Sequence, residues 1–143
     1  MEIFLNKIFG KIAIYYIFKK IKYISMSSKE FIRGTLKTII LKLLAENKQL
    51  YGYEISQKVA ELSKDEIKLT YGALYPVLYK LEGDGLLVTA SEIVNGRVRK
   101  YYSLTQNGHE LAKEKVSELQ KFTEILSKVL TPIPQPKMNL SGI

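Results

Sequence analysis

Cysteine is absent from this chain and histidine occurs once, at His109. The first absence excludes disulfides, thiolate metal sites and thiol catalysis. The second removes His pairs and His-based triads, so any enzyme here would have to be built from carboxylates alone, and no cofactor or metal is called for. Acidic residues are scarce as well: 14 Asp and Glu stand against 22 Lys and Arg, for a formal charge of +8 and a pI near 9.5. That excess favours a polyanionic partner, a class that holds both nucleic acid and anionic membrane. What is present is otherwise ordinary. The 143 residues are 46% apolar and 25% charged, enough for one modest core but not for two.

Residues 1–25 stand apart as an apolar, basic leader with five Lys against one Glu. As a secretory signal it fails, because Lys11 interrupts it, the run Ile12–Phe18 is short and no small-residue cleavage site follows. As a spanning helix it is too short, since about 20 apolar residues are needed. A basic helix lying on a lipid surface is physically allowed. The reading preferred is that Met26-Ser27-Ser28-Lys29 is the native start and that the leader has no selected role, with no membrane partner expected. At the other end, Pro132, Pro134 and Pro136 stop any helix in 131–143, which reads as a disordered tail.

Between these ends the expected class is mainly α with a small β-hairpin. Leu36, Ile39, Ile40, Leu43 and Leu44 recur at helical spacing, predicting a helix over about 31–46. Residues 47–51 read as a connection, and Ile55, Val59 and Leu62 predict the inward face of a second helix from Gly52. A third is expected over 71–83, with Leu74, Val77, Leu78 and Leu81 inward, Thr70 as N-cap, Pro76 near the first turn and Gly83-Asp84-Gly85 as the stop. Then Asn95-Gly96 separates two β-rich runs, 86–94 and 97–104, the signature of a two-residue type I′ hairpin. That loop sets Val94 against Arg97, Ile93 against Val98 and Glu92 against Arg99. Thr105 caps a final helix to about Leu130, some 37 Å long at 1.5 Å per residue. Along it Ala112, Val116, Leu119, Thr123, Leu126 and Leu130 form a coiled-coil seam widened by Phe122, Ile125 and Val129, an apolar face that needs a partner.

Three helices followed by a hairpin is the order of a winged helix-turn-helix, in which the third helix enters the major groove and the hairpin, or wing, touches adjacent backbone. Residues 27–105 read as that DNA-binding domain and 106–130 as a dimerisation helix. Asn95, Gly96, Arg97, Arg99 and Lys100 make a cationic hairpin tip suited to phosphate; a solvated strand edge is the plain alternative. On the third helix Thr70, Tyr71, Gly72, Tyr75 and Lys80 lie outside the buried stripe, with hydroxyls and one ammonium able to reach phosphates and base edges. Tyrosines flanking a core stripe also serve simply to cover it.

Arg33-Gly34-Thr35-Leu36, Leu43-Leu44-Ala45-Glu46 and Tyr51-Gly52-Tyr53-Glu54-Ile55 resemble the opening of a PadR-type regulator. Tyr71-Gly72-Ala73-Leu74-Tyr75-Pro76, continuing through Leu81-Glu82 to Gly85-Leu86, resembles that family's recognition helix, and Arg99 to Thr105 followed by Gly108 its second wing strand and last-helix start. The resemblance spans about residues 31–130, as a short form with one C-terminal helix. It implies a cytoplasmic homodimer, with the last helix and the first forming much of the interface, on a pseudo-palindromic double-stranded operator, repressing transcription, with release in some members on binding a small aromatic or cationic effector near the dimer interface. The interface residues implied here are Val116, Leu119, Phe122, Thr123, Leu126 and Leu130. Rival readings are a winged helix used only for protein interaction and a regulator held at a membrane by the leader. Glu110, Glu114 and Glu118 read as solvated positions paired with nearby Lys, and His109 as a surface residue.

Overall fold

The computed structural model describes Tyr15 and residues 29–130. The readings for the leader, beyond Tyr15, and for the tail lie outside the described residues. Helix α1 (29–46) presents Leu36, Ile40, Leu43 and Leu44 to the core, as the periodicity requires, and adds Leu41, which is fully buried. Its end is closed by Asn47, whose side-chain amide donates to the Leu43 carbonyl at 2.7 Å. The segment expected to be a plain connection contains a short strand, β1 (Leu50–Tyr51). Helix α2 (Gly52–Leu62) follows directly, its entry held by the Tyr51 N–H donating to Glu54 Oε2 at 3.1 Å. Ile55 and Val59 are buried, but Leu62, expected inward, is 69% exposed. It is the last helical residue, and the chain turns away after it through Lys64 and Asp65, both with positive φ.

Helix α3 (Tyr71–Gly83) is capped as predicted: the Thr70 hydroxyl accepts the Ala73 N–H at 3.3 Å. Leu74, Leu78 and Leu81 are buried to within 1%, and Val77 is partly buried against the same cluster. Pro76 is the sixth helical residue, so it falls in the second turn rather than the first. The helix stops at Asp84, after which Gly85 adopts φ 71°. There the Gly85 N–H reaches the Glu82 carbonyl and the Leu86 N–H the Leu81 carbonyl, each at 3.0 Å, a paired closure that needs a left-handed residue at Gly85.

Strands β2 (Leu87–Val94) and β3 (Arg97–Leu104) pair in the predicted register, with Val94 opposite Arg97, Ile93 opposite Val98 and Glu92 opposite Arg99. Asn95 and Gly96 both have positive φ, as a two-residue loop of this hand requires. Strand β1 adds to β3 on its other edge, giving the antiparallel order β1-β3-β2. One face of this sheet carries Leu50, Leu87, Tyr102 and Leu104 into the core. Each such side chain contributes about 1.5–3 kcal/mol by leaving water.

Helix α4 (Gln106–Val129) starts under Thr105, whose hydroxyl accepts the Gly108 N–H at 3.1 Å. Ala112, expected at the head of an intermolecular seam, is instead buried in this chain's own core. Further along, Val116, Leu119 and Leu126 are half-buried, Thr123 is exposed, and Phe122, Ile125, Val129 and Leu130 are between 50% and 71% exposed. Glu114 and Glu118 both pair with Lys115, at 3.4 and 2.7 Å, and His109 is exposed. No helix among the described residues is long and apolar enough to cross a membrane.

A Cβ at Gly108 would collide with the Leu86 carbonyl oxygen, a backbone atom that cannot rotate aside, so Gly108→Ala should cost about 2–3 kcal/mol; urea unfolding measures it. Tyr102 Oη is buried and bonds to nothing among the described residues. Burial pushes this phenol up to about 12, with Tyr79 and Glu82 adding to the shift. Because its folded value exceeds the ordinary one near 10, the folded state holds the proton more tightly, and stability is lost as pH rises from about 10 to about 12. Tyr102→Phe should flatten that loss and leave the neutral-pH melting temperature unchanged or higher. A lower melting temperature would show that the hydroxyl has a partner.

Candidate nucleic-acid interface

The exposed face of α3 is tyrosine, not cation. Tyr71, Tyr75 and Tyr79 recur at i, i+4 and i+8, with ring centroids 5.9 and 6.0 Å apart. Tyr71 and Tyr79 are more than half exposed and Tyr75 is half-buried. Tyr75 is set by close packing on α2: a Cβ built on Gly52 would lie 2.6 Å from its Oη and 2.8 Å from its Cζ. Thr70 and Gly72 are exposed in the first turn beside Tyr71. Lys80, the one cation on α3, is three-quarters exposed and 3.5 Å from Asp84, a weak surface pair.

The three hairpin cations do not form one cluster. Successive residues on a strand point to opposite faces, so Arg97 and Arg99 share the outer face while Lys100 shares the inner face with Tyr102. Arg97 is exposed beside the Asn95-Gly96 turn. Arg99, two residues inward, lies over the Tyr51 ring at 4.8 Å, within an aromatic group of Tyr51, Tyr53 and Tyr101. Lys100 reaches back to α3, its Nζ 2.9 Å from Glu82 Oε2 and over the rings of Tyr79 and Tyr102. The Thr89 hydroxyl donates to the other Glu82 oxygen at 3.0 Å. Hydrogen bonds first from Lys100 and then from Thr89 hold the Glu82 carboxyl below its ordinary range. Both wing strands are thereby tied to the last turn of α3, and Lys100 works as a brace more than as a free tip charge.

Residues that sequence reasoning passed over complete the surface. Ile93 and Val98, opposite one another near the tip, are 78% and 72% exposed. Tyr53, Ser56 and Gln57 of α2 line a groove of about 310 Å³ with Lys68 and Tyr71. Their signal was available as the polar face of α2, but only packing against the start of α3 makes that face part of the site. Among the described residues no three His, Asp or Glu side chains stand close enough to share a metal ion.

Residues 40–114 match the model of the transcriptional regulator PadR-like family. The chain belongs to that family. It is similar to the transcriptional regulator Rv3488 of Mycobacterium tuberculosis, 36% identical over 94 residues that cover 66% of this chain and 84% of that protein. Among solved structures, a transcriptional regulator from Clostridium thermocellum superimposes with a TM-score of 0.65 at 29% identity, covering 71% of this chain and 99% of the other. A PadR family transcriptional regulator from Eggerthella lenta gives 0.61 at 30% identity, over 76% and 89%. The winged-helix expectation therefore holds, and the chain is a PadR-like, DNA-binding transcriptional regulator.

The packing of Gly52 on Tyr75 makes a prediction specific to this PadR-like surface. Gly52→Ala should destabilise by about 1–2 kcal/mol through displacement of the Tyr75 ring. In a Tyr75→Ala background the same change should be neutral or stabilising, because the clash is gone and Ala favours helix over Gly. A double-mutant cycle by urea unfolding reads this sign change, and additive costs would disprove the packing argument.

Proposed function

We propose that the chain is a sequence-specific repressor that binds a double-stranded, pseudo-palindromic operator as a cytoplasmic homodimer. Residues 27–105 form its DNA-binding domain and 106–130 its dimerisation helix. The observation that carries this reading is the surface in which α3, with exposed Thr70, Tyr71, Gly72 and Lys80 and half-buried Tyr75, is braced to a wing bearing Asn95, Gly96, Arg97 and Arg99. Hydroxyls and a bare glycine backbone at the start of α3 can approach base edges, while the wing cations take phosphates. Lys100 supports contact by holding the wing at its angle.

The dimer reading is supported by the far half of α4. Phe122 and Leu130 are 59% and 68% exposed; Leu130 continues the seam of Val116, Leu119, Thr123 and Leu126 at coiled-coil spacing, and Phe122 widens it. A second copy of the same helix fits a seam of that period. Repression follows from occupancy, since a dimer seated on an operator blocks access to the promoter beneath it. A small aromatic or cationic compound entering beside the dimer interface would be the release signal.

The test is electrophoretic retardation of the region upstream of the chain's own gene by the full chain. Wild type should give a specific complex, and Arg97→Ala/Arg99→Ala should weaken it about tenfold or more, with a shallower salt dependence. Phe122→Asp/Leu126→Asp should give monomers by light scattering and lose the complex. A wild-type dimer that retards no DNA at low salt would transfer the assignment to a winged helix serving protein interaction alone.

A further inference from the structure

The wing covers only one flank of α3. On the other flank Gly72, Pro76 and Val77 face α1 across an open groove of about 470 Å³. Three cations stand on it: Lys29 and Arg33 from α1, and Lys68 just ahead of α3. All three are exposed, and no carboxylate lines the groove. Among the described residues none of the three makes an ion pair, so their charge is open to an outside anion. The apolar floor comes from Ile32, Leu69 and Pro76.

We propose that this groove is a second DNA-backbone clamp, in which Lys29, Arg33 and Lys68 take phosphates of the strand opposite the one held by the wing. The proposal rests on α3 being the helix that enters the major groove. A helix with its side chains is about 10–12 Å across and the major groove about 12 Å wide, so phosphate walls stand against both flanks at once. One wall meets the wing. The other meets the α1 side, where unpaired cations over an apolar floor match a backbone of anionic phosphates joined by largely apolar sugars. A small anion would need one charge partner, not three spread along an open groove that runs to the first turn of α3.

The experiment measures binding of a fluorescent random-sequence duplex, and of the upstream region, by the full chain over a range of salt. Each phosphate that a variant no longer neutralises lowers the slope of log K against log salt by about 0.9. Lys29→Gln/Arg33→Gln/Lys68→Gln should therefore lower it by about 2–3 per protomer, weakening both duplexes by the same factor. The control Lys113→Gln/Lys121→Gln/Lys128→Gln removes the same charge from α4 and should leave the slope as in wild type. Arg33→Gln and Lys68→Gln alone should each lower it by about 1, which keeps the test open if the triple variant melts early. A wild-type slope in the groove variants, or an equal drop in the α4 control, overturns the clamp alone. Wild-type protein that binds neither duplex overturns the repressor reading together with the clamp, and is seen before any substitution is compared.

Discussion

The Leu86 carbonyl is the point on which the arrangement turns. It accepts the Thr105 N–H at 3.0 Å and the Thr105 hydroxyl at 3.2 Å, and the same hydroxyl reaches the Gly85 carbonyl at 2.9 Å. Gly108 presses its backbone against that carbonyl from the first turn of α4, while the Leu86 N–H closes α3 on Leu81. The end of α3, the start of β2, the end of β3 and the start of α4 therefore share one hydrogen-bonded knot. Such a knot leaves little freedom between α3 and α4. In the proposed dimer joined along α4, this rigidity would fix the separation of the two α3 helices, and half-sites a whole number of helical turns apart, about 34–36 Å each, would suit it.

The legibility of this fold from sequence follows from how local each determinant is. Asn95-Gly96 fixes a two-residue loop by its own φ preferences, so the whole β2-β3 register follows from the turn without any tertiary contact. As caps Thr70 acts on Ala73 and Thr105 on Gly108, and Gly85 closes α3 within five residues, so these are equally readable, whereas the bonds from Thr105 to Gly85 and Leu86 are not local. Strand β1 is not, because two residues carry no period, and Leu50 and Tyr51 become strand only by pairing with Tyr102 and Tyr101. Ala112 and Leu62 change sides for a related reason: periodicity gives the direction of a face but not where the neighbouring element ends.

The candidate site divides the same way. Its cations can be counted in sequence, but strand parity separates Arg99 from Lys100, and only the third dimension shows Lys100 turned back onto Glu82. The groove beside α1 cannot be inferred at all, since Arg33 and Lys68 are 35 positions apart in the chain and meet only through packing.

On the proposed reading α3 faces DNA, where a carboxylate would ordinarily repel phosphate, and the bonding of Glu82 removes that conflict. Its two oxygens are taken by Lys100 and Thr89, and the interactions that lower its pKa also cancel its outward charge. The ion pair is partly exposed, with side chains 41% and 33% accessible, so its worth lies less in stability than in orientation. It spends one wing cation to hold the other strand residues at a set angle to α3. On the proposed reading, charge for phosphates is then left to Arg97 and Arg99 on one side and to Lys29, Arg33 and Lys68 beside α1 on the other. Between them the tyrosine row offers rings and hydroxyls with no net charge, a composition that contributes little to non-specific attraction and leaves discrimination to contact with the bases.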